Sequence, residues 1–204
     1  MTRVIRSVIL SALISAAAGL SLTGAATAGV APMPPGLHGS VPSNAERVVE
    51  LNGQIQAGDY ETFLEVVDSV KPDIIVLDSP GGRVDEALLI AAEIKRRGLN
   101  TFIYGNRECA SACALMFLSG KTKYARPGAS IGLHASSYLD GTFSVEGTAE
   151  MAAYLAKIGT PADIIERMSN TEPMDMHWLT DEEQQALRVH VISPGSLKVR
   201  KAAR

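Results

Sequence analysis

Apolar positions along the chain change period several times, and each change marks an element. Residues 48–51 (VVEL) form a short apolar run ended by Asn52-Gly53, which predicts a strand and a turn. Residues 60–70 place Phe63, Val66, Val67 and Val70 at helical spacing and stop before Pro72. Residues 74–77 (IIVL) are continuously apolar, as expected of a strand covered on both faces. Val84, Ala87, Leu88, Ala91 and Ile94 then line one face of a helix over 84–97, with Arg96 and Arg97 in its last turn and Gly98 to end it. A strand at 101–104 and a helix at 112–118 closed by Gly120 follow, then a short strand at 131–133. Helices at 145–158, 161–168 and 181–187 lead into a final strand at 189–192. Strands separated by helices of this length imply βαβ units, so the expected fold is α/β with a mostly parallel sheet and flanking helices.

The two ends break this pattern. Arg3 and Arg6 precede an apolar stretch over 8–22, and Ala26-Thr27-Ala28 supplies small residues at the spacing a signal peptidase needs. Residues 1–28 therefore read as a signal peptide cleaved after Ala28, and the mature protein is expected to be periplasmic or secreted. An uncleaved anchor fits less well, because the apolar run is short for a membrane span. Residues 29–45 are rich in Pro, Gly and Ser without a period and read as a linker, in which His38 has no role. The domain is expected over 46–193 and a basic tail over 194–204.

Composition changes the picture mainly by exclusion. With 204 residues, 46% hydrophobic and 20% charged, the chain supports one packed domain. A net charge of -3 gives no general attraction to nucleic acid. Zinc spacings such as C-x-x-C and H-E-x-x-H are absent from the sequence, as is G-x-G-x-x-G. No metal and no cofactor is expected.

Three short motifs carry the candidate chemistry. Asp78-Ser79-Pro80-Gly81-Gly82 follows a buried strand and opens a helix. Its glycines allow close approach of backbone N–H groups to a ligand, although such a turn is commonly only a turn. Glu108-Cys109-Ala110-Ser111-Ala112-Cys113-Ala114 sets a serine between alanines at a helix start. Unpaired N–H groups there favour developing negative charge, and an N-cap serine is the plainer alternative. Ile131-Gly132-Leu133-His134 ends a strand in a histidine, which taken alone is more often structural than catalytic.

Taken together and in this order, DSPGG at 78–82, CASAC at 109–113 and GLH at 132–134 resemble the Clp protease proteolytic subunit and its relatives in the ClpP/crotonase superfamily. The likeness runs from about residue 47 to 192. It implies a ClpP/crotonase-like fold of repeated ββα-type units, with Ser111 as acylated nucleophile and His134 as its base. It also implies an oxyanion hole from the backbone N–H groups of Gly82 and Ala112, acting on a peptide or protein substrate in a homo-oligomer. The third triad member falls in the stretch 170–179, where Asp175 fits with one inserted residue and Asn170 and Glu172 are the fallbacks; His177 matches no family position. Clp-type rings are fed by ATP-driven unfoldases, and an exported protein has no ATP for such a partner. Related enzymes use a Ser-Lys dyad, for which Lys121 and Lys123 are the candidates. Two functional alternatives stand beside the hydrolase: a non-catalytic binding or assembly module, and a crotonase-type acyl-CoA enzyme. Cys109 and Cys113 bracket Ser111 at equal distance and are either a disulfide formed after export or two small buried thiols.

Overall fold

A computed structural model describes residues 28–33 and 47–193. The expected signal peptide up to residue 27, most of the linker (34–45), residue 46 and the basic tail (194–204) lie outside the described residues. Nine strands and six helices occur among the described residues, and they form two sheets.

The larger sheet has the order β1-β2-β3-β4-β6-β9, from Gly29–Pro32, Val48–Asn52, Ile74–Asp78, Asn100–Ile103, Lys123–Ala125 and Val189–Val191. Every neighbouring pair in it is parallel except β1 with β2. The smaller sheet has the order β5-β7-β8, from Glu108–Ala110, Ser130–Leu133 and His177–Trp178. There β5 and β7 are parallel while β7 and β8 are antiparallel. The expected α/β class with a mostly parallel sheet is therefore present, divided into two sheets.

Strand β1 corrects the linker expected over 29–45. Its Gly29 and Pro32 look like linker composition, yet β1 lies at the edge of the sheet, where a proline costs no ladder hydrogen bond. Central strand β3 is buried from Ile74 to Leu77, matching its unbroken apolar sequence.

The helices are α1 (Asp59–Val70), α2 (Val84–Arg97), α3 (Ala112–Leu118), α4 (Val145–Ile158), α5 (Ala162–Asn170) and α6 (Asp181–Ala186). Helix α2 ends at Gly98, whose φ of 65° accepts the left-handed cap that stops it. All of α3, from Ala112 to Leu118, is buried. A helix apolar on every face belongs in the middle of a core, and α3 packs against α2 and β5 there. This placement fixes its N-terminus, and with it Ser111, relative to both sheets.

Two isolated bridges lie near that point, one joining the two sheets and one extending the β2–β3 pairing. Ser79, just beyond β3, pairs with Cys109 of β5, and Ile55 pairs with Gly82. Ser79 N–H donates to the Glu108 carbonyl at 2.9 Å, and Ala110 N–H donates to the Ser79 carbonyl at 3.0 Å. The Gly-Gly turn and the serine turn are thereby held side by side.

Candidate active site

Ser111 occupies the N-cap of α3 with φ 56° and ψ -127°, a conformation that side chains other than glycine rarely adopt. Its hydroxyl makes no capping hydrogen bond to the helix, so the plain N-cap alternative does not describe it. Holding a serine at such a backbone angle costs about 1–3 kcal/mol, which the surroundings must offset. Several contacts do so. Ser111 N–H donates to the Gly132 carbonyl at 2.8 Å, and Ala114 N–H donates to the Ser111 carbonyl at 3.0 Å. Cys109 and Cys113 are joined by a disulfide across the serine, with Cα atoms 5.1 Å apart. The thiol alternative is thereby set aside.

The glycine turn presses on the same point. A methyl group added to Gly81 would lie 2.7 Å from both the Ala110 carbonyl oxygen and Ser111 Cβ. One added to Gly82 would lie 2.2 Å from the Ile55 carbonyl oxygen. Both glycines also have positive φ, 98° and 140°, so no other residue fits either position. Ile55 N–H donates to the Gly81 carbonyl and Arg83 N–H donates to the Ile55 carbonyl. Among the hydrogen bonds of the described residues, neither Gly82 N–H nor Ala112 N–H is a donor. The two groups assigned to an oxyanion hole are thus uncommitted.

Ser111, His134 and Gly82 line one cavity of about 700 Å³. Its other walls come from Gln54–Gln56, from the Arg83–Asp85 ion pair, and from a hairpin after His134. That hairpin is closed by Tyr138 N–H donating to the Thr142 carbonyl at 2.8 Å. It sets Tyr138 and the fully exposed Leu139 on the rim. The sequence reading missed these walls; the polar run at Gln54 and Gln56 and the turn residues Asp140-Gly141 carry no signal of a site.

His134 follows β7 and is half-buried. Burial pushes its imidazole below the usual histidine range, with a backbone hydrogen bond at Ala135 opposing the shift. Its Nδ1 is buried and has no hydrogen-bond partner among the described residues.

The expected acids do not fill that gap. Asp175 is exposed, sits in a turn where its N–H donates to the Glu172 carbonyl at 2.9 Å, and lines no part of the cavity. Asn170 and Glu172 are exposed as well and also lie off the cavity. The segment does pass close by, because Ala135 N–H donates to the Thr171 carbonyl at 2.9 Å. His177 is bound to Glu183 through Nε2, at 2.9 and 3.0 Å from its two carboxylate oxygens. The cavity's one carboxylate, Asp85, is paired with Arg83, which holds it below the usual carboxylate range. No lysine lines the cavity, and neither Lys121 nor Lys123 reaches it.

No protein-family model matches the chain, and no curated protein sequence matches it. Solved structures do. The ClpP protease catalytic domain from Plasmodium falciparum aligns with a TM-score of 0.56 and 18% identity, over 72% of this chain and 85% of that one. A ClpP1 variant from Listeria monocytogenes aligns at 0.55 and 21% identity, over 74% and 94%. A 1510-N membrane-bound stomatin-specific protease, in complex with a substrate peptide, aligns at 0.53 and 22% identity, over 71% and 73%. The chain has the ClpP-like fold.

Proposed function

We propose that this chain is an exported serine peptidase-like hydrolase that cleaves peptide or related acyl bonds, with Ser111 as nucleophile and His134 as general base. One observation carries the reading: a serine held at positive φ shares a cavity with a histidine and with Gly82, whose N–H is uncommitted. The protease structures that share the fold support the same chemistry.

In the proposed reaction His134 takes the Ser111 proton as the serine oxygen adds to the substrate carbonyl. The oxyanion accepts from Gly82 N–H and Ala112 N–H, each donor contributing about 3 kcal/mol by analogy with other hydrolases. The leaving amine departs with the proton held by the imidazole, and water then hydrolyses the ester. Export from the cytoplasm separates the enzyme from ATP-driven unfoldases, so it acts on peptides or loose chains as a homo-oligomer.

The unpartnered Nδ1 of His134 favours one second reading, a binding module that keeps the fold without turnover. A fluorophosphonate probe decides between them. The hydrolase reading expects labelling of the purified protein that disappears in Ser111→Ala; an unlabelled wild type supports the binding module.

A further inference from the structure

Resting on that assignment of Ser111, we infer that the Cys109–Cys113 disulfide is a positioning element for the nucleophile, and that reducing it lowers the rate of acylation. The bond links two rigid pieces. Cys109 belongs to β5, where it is in register with Ile131 of β7 and bridges to Ser79. Cys113 is the second residue of the wholly buried helix α3. Only Ala110, Ser111 and Ala112 lie between them, and Ser111 is the residue that turns the chain.

The Cα separation across this turn, 5.1 Å, is shorter than the rise of about 6 Å over four residues of regular helix. Relaxing Ser111 to an ordinary extended or helical backbone would change that separation, turn the Ala112 N–H away and redirect the hydroxyl. The cross-link opposes each of these changes together. Its effect is confined to the serine turn, because the substrate walls at Gln54–Gln56 and at the hairpin with Tyr138 and Leu139 belong to other segments. Loss of the bond is therefore expected to slow the chemical step and to leave binding nearly unchanged.

Both cysteines are completely buried. A reductant reaches the bond only when the serine turn opens, so the link resists brief exposure to thiols once the domain is folded. Reduction by a dithiol converts the disulfide to two protonated thiols, and the dithiol is oxidised to its own cyclic disulfide. Two electrons and two protons are transferred. Air or oxidised glutathione reverses the change.

The test compares fluorophosphonate labelling kinetics of the wild-type chain before and after dithiothreitol, with the free thiols counted by alkylation. The expected result is a fall of about tenfold in the maximal labelling rate as two thiols appear. The probe concentration for half-maximal rate should hardly move, and reoxidation should restore the rate. Where the thiols stay out of reach of the reductant, the double variant C109A/C113A serves, with its melting temperature checked to confirm folding. Equal maximal rates with and without the bond overturn the inference while leaving Ser111 as nucleophile. A change only in the half-maximal concentration overturns it too. An unlabelled oxidised wild type overturns the nucleophile assignment itself.

Discussion

The side of the cavity that holds Ser111, the proposed nucleophile, and the side that should orient the histidine are built in opposite ways. Around Ser111, two glycines at positive φ, a disulfide, a strand-to-turn hydrogen bond and a buried helix all constrain the same few atoms. Behind His134, a buried ring nitrogen has no partner among the described residues, and the expected acids Asp175 and Glu172 are on the surface. Oxyanion donors and a strained serine are backbone features, held here by several separate constraints. An orienting carboxylate is a single side chain on a connection, so it is the part most easily lost or replaced. A nucleophile with a weakly oriented base still has residual catalysis, on the order of 10³–10⁴-fold over water, from the oxyanion hole and substrate positioning.

Breaking the well-built side should have the largest effect. In Gly82→Ala the new methyl would meet the Ile55 carbonyl at 2.2 Å, at a φ of 140° that alanine does not adopt. The Ile55 bridge and the oxyanion donor would move together. We expect hydrolysis and probe labelling to become undetectable and stability to fall by about 2–4 kcal/mol. Thermal melting beside labelling measures both. A fully active, equally stable Gly82→Ala protein would mean the turn is not part of the site.

How much of this contrast was legible before the structure depended on scale. Helix α2 was read end to end because its apolar face repeats over four turns and Gly98 closes it. Strands β5, β6 and β8 are not legible, since these short runs (ECA, KYA and HW) lack the apolar alternation by which Val189–Val191 of the equally short β9 is recognised. Ser111 is recognisable as a helix-start residue, but its positive φ is not, because the groups packed on that turn, Gly81 and the Gly132 carbonyl, are remote in sequence. The cavity walls were invisible for a related reason: Gln54–Gln56 and the hairpin after His134 meet only through the topology. Ala26, Thr27 and the basic tail lie outside the described residues, whereas Ala28, the last residue of the expected signal peptide, is buried against the core.

A smaller effect sharpens the other side. In the proposed reaction His134 must be neutral to accept a proton, so activity is expected to rise with pH through its pKa. Burial lowers that pKa from its ordinary 6.5. The charged groups of the cavity, Arg83 and Asp85, largely cancel as a pair. The acid limb of kcat/KM is therefore expected below pH 6.5. A carboxylate against Nδ1 would stabilise the imidazolium and move the limb upward. An acid limb clearly above 6.5 would reveal such a partner in the working enzyme and remove the contrast.

The smallest expected effects belong to the three candidates for the orienting role. In a triad whose histidine is held by a buried carboxylate, converting that acid to its amide lowers kcat by about 10⁴-fold. Asp175, Glu172 and Asn170 are each exposed, and none lines the cavity, so Asp175→Asn, Glu172→Gln and Asn170→Ala should each change kcat by less than about threefold. The distinction is wide enough that moderate purification errors cannot blur it. Asn170 offers the finer reading of the three, because Thr171 beside it accepts the Ala135 N–H and ties this segment to the residue after His134. If substrate binding draws the segment inward, Asn170→Ala alone will fall well beyond threefold in kcat at constant KM, and Asn170→Asp will recover the rate while raising the acid limb. If all three variants stay near wild type, His134 works without a side-chain partner from this stretch, and the ordering of the catalytic pair rests on the serine side.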